Sequence, residues 1–182
     1  MTHQLQLNSE KKLFFASDCH LGEPDYSTSR EREKKVVAWL DAYVDQAAGF
    51  FLLGDIFDFW FEYNHVIPKG YVRLLGKLAE ITDRGIPVFF FTGNHDMWLS
   101  DYFSQELNIS VYREPQSFKV GGTMLKVGHG DGLGPGQTSY KFLKAMFANP
   151  VCQWMFKWLH PNVGFAIANR WSRQSRTHNG VA

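Results

Sequence analysis

FFLLGDIFDFW, Phe50 to Trp60, places two carboxylates, Asp55 and Asp58, inside a run that is otherwise apolar or aromatic. A buried, unpaired carboxylate is costly or loses its charge, so the stretch needs a reason for both. FFLLG is too short for a helix and reads as a buried strand. Asp55 then leaves the sheet at that strand's carboxyl end. Two other segments behave alike. KLFFAS, 12–17, is a strand that ends at Asp18, and IPVFFFTG, 86–93, runs into Asn94, His95 and Asp96.

Helices are expected between these strands. Thr28-Ser29-Arg30-Glu31 has the capping-box pattern and predicts a helix start. Val36, Val37, Leu40, Tyr43 and Val44 give that helix an apolar face, with Gly49 as its stop. A second helix is expected over about 68–84, opened by Pro68 and stopped by Gly85. Buried strands joined through helices predict right-handed crossovers and a parallel sheet in an α/β domain. Further on, SFKVGGTMLKVGHGD, 117–131, reads as a hairpin turning at Gly121-Gly122.

The length of 182 residues suits one domain. Hydrophobic residues make up 45% and charged residues 20%, as in ordinary globular proteins. Cys19 and Cys152 form no disulfide framework, which fits a reducing cytoplasm, and no apolar run is long enough for a membrane span.

Four polar clusters follow the apolar strands in order: Asp18-Cys19-His20, Gly54-Asp55 with Asp58, Gly93-Asn94-His95-Asp96, and Gly128-His129-Gly130-Asp131. Ligands of open α/β sheets bind outside the carboxyl ends of the strands, so the four are expected to converge on one rim. Their oxygen and imidazole donors suit Mn²⁺, Fe²⁺ or Zn²⁺ better than Ca²⁺. Taken singly, each has a plainer reading: a structural histidine, a turn or cap aspartate, a small cysteine at the core's edge. Their joint order favours a shared site.

The order DCH, GDIFD, GNHD, GHGD resembles the calcineurin-like metallophosphoesterase superfamily, whose pattern runs D-x-H, G-D-x-x-D, G-N-H-[DE], a lone His and then G-H-x-H. The resemblance covers essentially the whole chain and implies an αβ sandwich around two divalent metal ions. Under it, Asp18 and His20 resemble ligands of the first metal, Asp55 the carboxylate bridging both, and Asn94 and His129 ligands of the second. Asp58 and Asp131 would support those ligands from behind. His95 would give a proton to the leaving oxygen, and Asp96 would fix its tautomer. The G-H-x-H element is not found. The later histidines, His160 and His178, lie in no such pattern, so the chain is expected to stop before it and leave each metal one ligand short.

All 18 acidic residues lie in 1–131, beside 13 of the 19 basic ones; 132–182 carries six basic residues and no acid. That segment also holds Tyr140, Phe142, Phe147, Trp154, Phe156, Trp158, Phe165 and Trp171. Its plain reading is a helical hairpin with a solvated basic face. Its sharper reading, over 132–178, is a helical lid for a ligand both greasy and anionic. An HGD motif followed by such an insert resembles the UDP-2,3-diacylglucosamine hydrolase branch of the superfamily. That resemblance implies a Mn²⁺-dependent, cytoplasmic enzyme of lipid A biosynthesis, peripheral at the inner membrane, which cleaves a lipid-linked nucleotide sugar to UMP and 2,3-diacylglucosamine 1-phosphate. It also implies that Asn94, Gln137, Tyr140, Arg170, Arg173 and Arg176 line the substrate site. Well-known members of the branch carry Arg where this chain has His95. The rival readings are a phosphoesterase of other specificity, such as a nuclease acting on single strands, and a non-catalytic scaffold. Five ligand side chains in place count against the scaffold.

Overall fold

The computed structural model describes residues 2–5, 10–130, 149–167 and 170. β2 (Lys12–Ala16), β3 (Ala47–Leu53), β4 (Val88–Phe91) and β5 (Ser110–Tyr112) pair in that order as a wholly parallel sheet. A second sheet has the order β1 (Thr2–Leu5), β6 (Gln116–Val120), β7 (Thr123–Val127), with β1 parallel and β7 antiparallel to β6.

The phenylalanine runs explain how the layers stack. Successive strand residues face opposite sides. Phe50 and Leu52 of β3, with Val88 and Phe90 of β4, join Leu40, Val44, Leu74, Leu78 and Ile81 in the larger core under α1 (Tyr26–Tyr43) and α2 (Val72–Asp83). Phe51, Phe89 and Phe91 turn the other way and meet Phe118 and Val127 of the second sheet. A sheet covered on both faces requires apolar residues at every position, and that is why FFLL and VFFF are uninterrupted.

The parallel sheet and the Gly121-Gly122 hairpin agree with the sequence reading. Three helix signals do not fall where the pattern puts them. α1 starts one turn earlier, because Asp25 Oδ1 accepts from the backbone N–H of Ser27 and Thr28 at 2.8 and 3.0 Å. The Thr28–Glu31 box is left over, and Glu31 pairs with Lys34 instead. Gly49 is no helix stop: it lies within β3, since α1 passes into a 3₁₀ turn at Val44–Gln46 and the strand begins at Ala47. α2 starts at Val72 rather than near Pro68. Gly70 and Tyr71 precede it with φ of +112° and +55°, and its free N-terminal N–H groups are capped from another helix, Arg73 and Leu74 donating to Glu33 Oε1 at 2.9 and 3.1 Å. At its far end Gly85, φ +76°, does stop the helix, as expected.

α3 (Tyr102–Gln105) follows β4. After the hairpin, α4 (Pro150–Lys157) begins at a proline and is capped by Asn149 Oδ1. A second helical stretch, 161–167, begins at Pro161. Most of the expected lid, 132–178, lies outside the described residues.

Candidate metal centre

Beyond the strand ends the ladder between β2 and β3 continues into the turns. Asp18 N–H donates to Gly54 O at 3.1 Å, His20 N–H to Asp55 O at 2.9 Å and Leu21 N–H to Ile56 O at 2.9 Å. Asp18, His20 and Asp55 all adopt left-handed backbone, with φ of 55°, 42° and 53°. For residues other than glycine this costs about 1–2 kcal/mol each, a strain that recurs at functional sites. Two glycines make the close approach possible. A β-carbon on Gly54 would lie 2.6 Å from His129 Nδ1 and 2.7 Å from Gly93 N, and one on Gly93 would overlap Asp55 Oδ1. The turns after β2, β3, β4 and β7 therefore meet at one place.

Among the described residues, two groups of possible ligands arise there: Asp18, Asp55 and His129, and His20, Asp58 and His95. Within each group the donor atoms lie within 4.8 Å of one another. His129 Nε2 is 3.5 Å from Asp55 Oδ2. His20 Nδ1 and His95 Nδ1 lie 3.9 and 3.5 Å from Asp58 Oδ1, and the two rings stand edge to face at 4.8 Å. Asn94 is half-buried in the same turn as His95. Arg170 is exposed. Asp131, Gln137, Tyr140, Arg173 and Arg176 lie outside the described residues.

Hydrogen bonds fix two of the imidazoles. His129 Nδ1 is 2.6 Å from Leu53 O, and His95 Nδ1 is 2.9 Å from Asp58 O. A carbonyl only accepts, so each Nδ1 carries a proton, and in the neutral ring Nε2 is then left with a lone pair. This is the arrangement that metal-ligating histidines adopt. His20 Nδ1 is buried and has no hydrogen-bond partner. Burial, with His95 close by, holds the His20 imidazole below its usual pKa. Burial pushes the Asp55 carboxyl up, but the neighbouring His129 imidazole and the His95 N–H outweigh it, leaving Asp55 below the ordinary carboxylate range. Imidazoles held by carbonyls at Nδ1, the Asp55 carboxylate and an unsatisfied ring nitrogen are the donor set that a divalent cation fits. Cys19, between two of these residues, has its thiol pushed up to about 11 by burial and then by Asp18; it is a thiol and no thiolate donor.

The expected task of Asp96 is corrected. Its carboxylate accepts from the N–H of Gly93 (2.7 Å), Ile56 (2.9 Å) and Phe57 (3.5 Å). It ties the β3 turn to the β4 turn, while the carbonyl of Asp58 orients His95. Asp96 is wholly buried, and burial, with Asp55 nearby, pushes its carboxyl up to about 7. Sequence reasoning also missed an outer ring of supports. Ser29 Oγ accepts from Gly22 N–H at 2.7 Å, Tyr71 Oη donates to Leu21 O at 3.1 Å, and Arg32 donates to two carbonyls of the first turn. Arg32 sits in the charged run REREKK, 30–35, which carries no motif to mark it.

The helical stretches flank this rim. Phe156 lies 4.6 Å from the Phe61 ring and 4.8 Å from Trp98, and Phe165 lies 5.3 Å from Phe59. Trp154, Met155 and Trp158 turn outward, 60%, 61% and 76% exposed. No helix among the described residues is long and apolar enough to cross a membrane.

The family model described as calcineurin-like phosphoesterase matches residues 11–168. The chain is 36% identical over 166 residues to a UDP-2,3-diacylglucosamine hydrolase of Porphyromonas gingivalis, covering 91% of this chain and 63% of that protein. It is 25% identical over 167 residues to one of Edwardsiella ictaluri (92% and 62%) and 26% identical over 165 residues to one of Nitrosococcus oceani (91% and 64%). The chain thus spans just under two thirds of the length of these curated relatives.

Proposed function

Because the chain belongs to the calcineurin-like phosphoesterase family, we propose that it carries out metal-dependent hydrolysis of a phosphoric anhydride, with UDP-2,3-diacylglucosamine as substrate and Mn²⁺ as the working ion. Water and the sugar nucleotide give UMP and 2,3-diacylglucosamine 1-phosphate, a step of lipid A biosynthesis. The observation that carries this reading is the meeting of two groups of possible donors, Asp18–Asp55–His129 and His20–Asp58–His95, on one rim.

A pair of divalent ions supplies charge neutralisation at the phosphate oxygens and activation of the attacking water. Asp18, His20, Asp55, Asn94 and His129 would hold those ions, Asp55 serving both. His95, held by the Asp58 carbonyl at Nδ1, would in its imidazolium form carry a second proton at Nε2 and give it to the leaving phosphate oxygen. Asp58 lies behind His20 and His95 and sets their orientation. Outward apolar residues on α4 and at its end (Trp154, Met155, Trp158), and the acid-free, basic composition of 132–182, support a lid for acyl chains and phosphate formed with Gln137, Tyr140, Arg170, Arg173 and Arg176. The same composition supports reversible contact with the anionic cytoplasmic face of the inner membrane.

The test is incubation of the purified protein with UDP-2,3-diacylglucosamine and Mn²⁺, with phosphorus NMR of the products. Formation of UMP and the sugar 1-phosphate is the expected result. Cleavage of single-stranded nucleic acid with none of the sugar nucleotide would move the substrate to the nuclease reading. Absence of Mn²⁺ binding by calorimetry would sink the catalytic reading altogether.

A further inference from the structure

The turn Asp18-Cys19-His20 holds its left-handed backbone by pairing its peptide groups on both edges, and one side chain from a distant helix supplies the second edge. The peptide between Cys19 and His20 has its N–H on Asp55 O at 2.9 Å and its carbonyl oxygen on Arg32 Nη1 at 3.1 Å. The peptide between His20 and Leu21 has its N–H on Ile56 O at 2.9 Å and its carbonyl oxygen on the same Arg32 Nη1 at 2.9 Å. The two peptide planes that flank His20 are therefore each pinned at both ends. Peptide planes are rigid, so pinning both fixes φ and ψ of His20, and with them the direction of its imidazole. Left to itself, a histidine at φ 42° relaxes to a right-handed or extended backbone. Without Arg32 the Cys19 carbonyl edge is free to tilt, and the His20 carbonyl keeps only the long bond from the Glu23 N–H at 3.4 Å.

We propose that Arg32 is a positioning residue of the metal centre: its guanidinium holds the two carbonyls that aim His20 at Asp58 and His95. This rests on the metal-site reading above and deepens it. A guanidinium suits the task. It stays charged, its planar fork is already organised, and a charge-assisted hydrogen bond is stronger than a neutral one. Arg32 is half-buried, on the α1 face toward the turn. It acts from twelve residues away in sequence and through backbone alone, which is why no motif reports it.

The experiment compares Mn²⁺ affinity by calorimetry in the wild type, Arg32→Ala, Arg32→Lys, His20→Ala and the His20→Ala/Arg32→Ala double variant. Lys34→Ala, on the exposed side of α1, serves as the neutral control. Thermal unfolding without metal is recorded for each. Arg32→Ala is expected to weaken Mn²⁺ binding by about 10–100-fold, the range for groups that orient ligands from behind. Arg32→Lys should recover part of that loss, and the metal-free unfolding midpoints should stay near wild type. In the His20→Ala background, Arg32→Ala should cost little more, because the two act through one ligand. Wild-type affinity in both Arg32 variants, or a full additional loss in the double variant, overturns the proposal while leaving the metal site intact. No Mn²⁺ binding by the wild type overturns the metal-site reading and this inference with it. If Arg32→Ala fails to fold, Arg32→Lys carries the same comparison.

Discussion

The rim and the helical segment 150–167 are fastened in opposite ways. On the rim, each turn is gripped by backbone or side-chain hydrogen bonds from elements far away in sequence: Gly54 O and Asp55 O on the first turn, Asp96 across the second and third, Leu53 O on His129. The helical segment is fastened by aromatic contact, Phe156 on Phe61 and Trp98, Phe165 on Phe59. Hydrogen bonds are directional and fix positions. Apolar contact is proportional to area and tolerates sliding. The difference matches two demands of the proposed function. Phosphoryl transfer depends on atoms held within fractions of an ångström, whereas an acyl-chain lid must adapt to its ligand.

Removing Asp55 should break the rim most severely. It is buried, sits where the four turns meet, receives the His95 N–H at 3.0 Å and lies 3.5 Å from His129 Nε2. Asp55→Ala is expected to lower hydrolysis of UDP-2,3-diacylglucosamine by about 10³-fold or more, several kcal/mol of transition-state stabilisation. Mn²⁺ binding should fall at both positions in a calorimetric titration. Activity within tenfold of wild type would mean that the rim does not converge on Asp55.

Asp96→Ala tests whether the rim is stiff for the reason given. It strands three backbone N–H groups, those of Gly93, Ile56 and Phe57. An unsatisfied buried donor costs about 1–3 kcal/mol, and with some relaxation the total should be about 3 kcal/mol in urea unfolding. Asp96→Asn keeps one acceptor oxygen and should lose less. Equal loss in the two variants would point to a cavity rather than to lost hydrogen bonds.

This contrast also explains what the sequence made legible. The sheet was readable because FFLL and VFFF are buried at every position but the half-buried Leu53, and a run with no polar position has few other readings. The clusters at the strand ends were readable because chain order follows strand order. What escaped was the support between elements. Asp96 sits next to His95 in sequence, so a partnership was the natural guess, yet its acceptors face backbone about 40 residues earlier. Glu33 caps a helix that begins 39 positions later at Val72, so the start of α2 could not be placed from its own residues. β1 and β5, of four and three residues, were too short to carry a period.

For the helical segment the expected effect is smaller and of another kind. Phe156→Ala removes a half-buried ring from Phe61 and Trp98. It should cost about 1–2 kcal/mol, less than the ~3–5 kcal/mol of a fully buried phenylalanine. Hydrogen exchange should locate the loss in 150–167 and leave the rim protected. KM for the diacylated substrate should rise, while turnover of a small phosphodiester that needs no lid stays near wild type. If the small substrate suffers equally, the two regions are one mechanical unit.

The smallest effect is expected at the start of α1, where pH separates fold from site. Asp25 is exposed, and its carboxylate accepts from the Ser27 hydroxyl, from the Thr28 backbone N–H and hydroxyl, and from the Ser27 N–H. These bonds, the Ser27 hydroxyl first, hold its carboxyl well below the ordinary range. Its pKa is thus lower folded than unfolded, so the stabilisation is fully present above the unfolded value, near 4, and is lost as pH falls toward the folded one. Asp25→Ala should lower the unfolding midpoint by a few degrees or less at pH 7, and the gap to wild type should close below about pH 4. Mn²⁺ affinity measured at pH 7 should not change, because α1 reaches the rim farther along, through Ser29 and Arg32. A fall in affinity alongside the fall in midpoint would show that a frayed first turn of α1 already loosens the grip on His20.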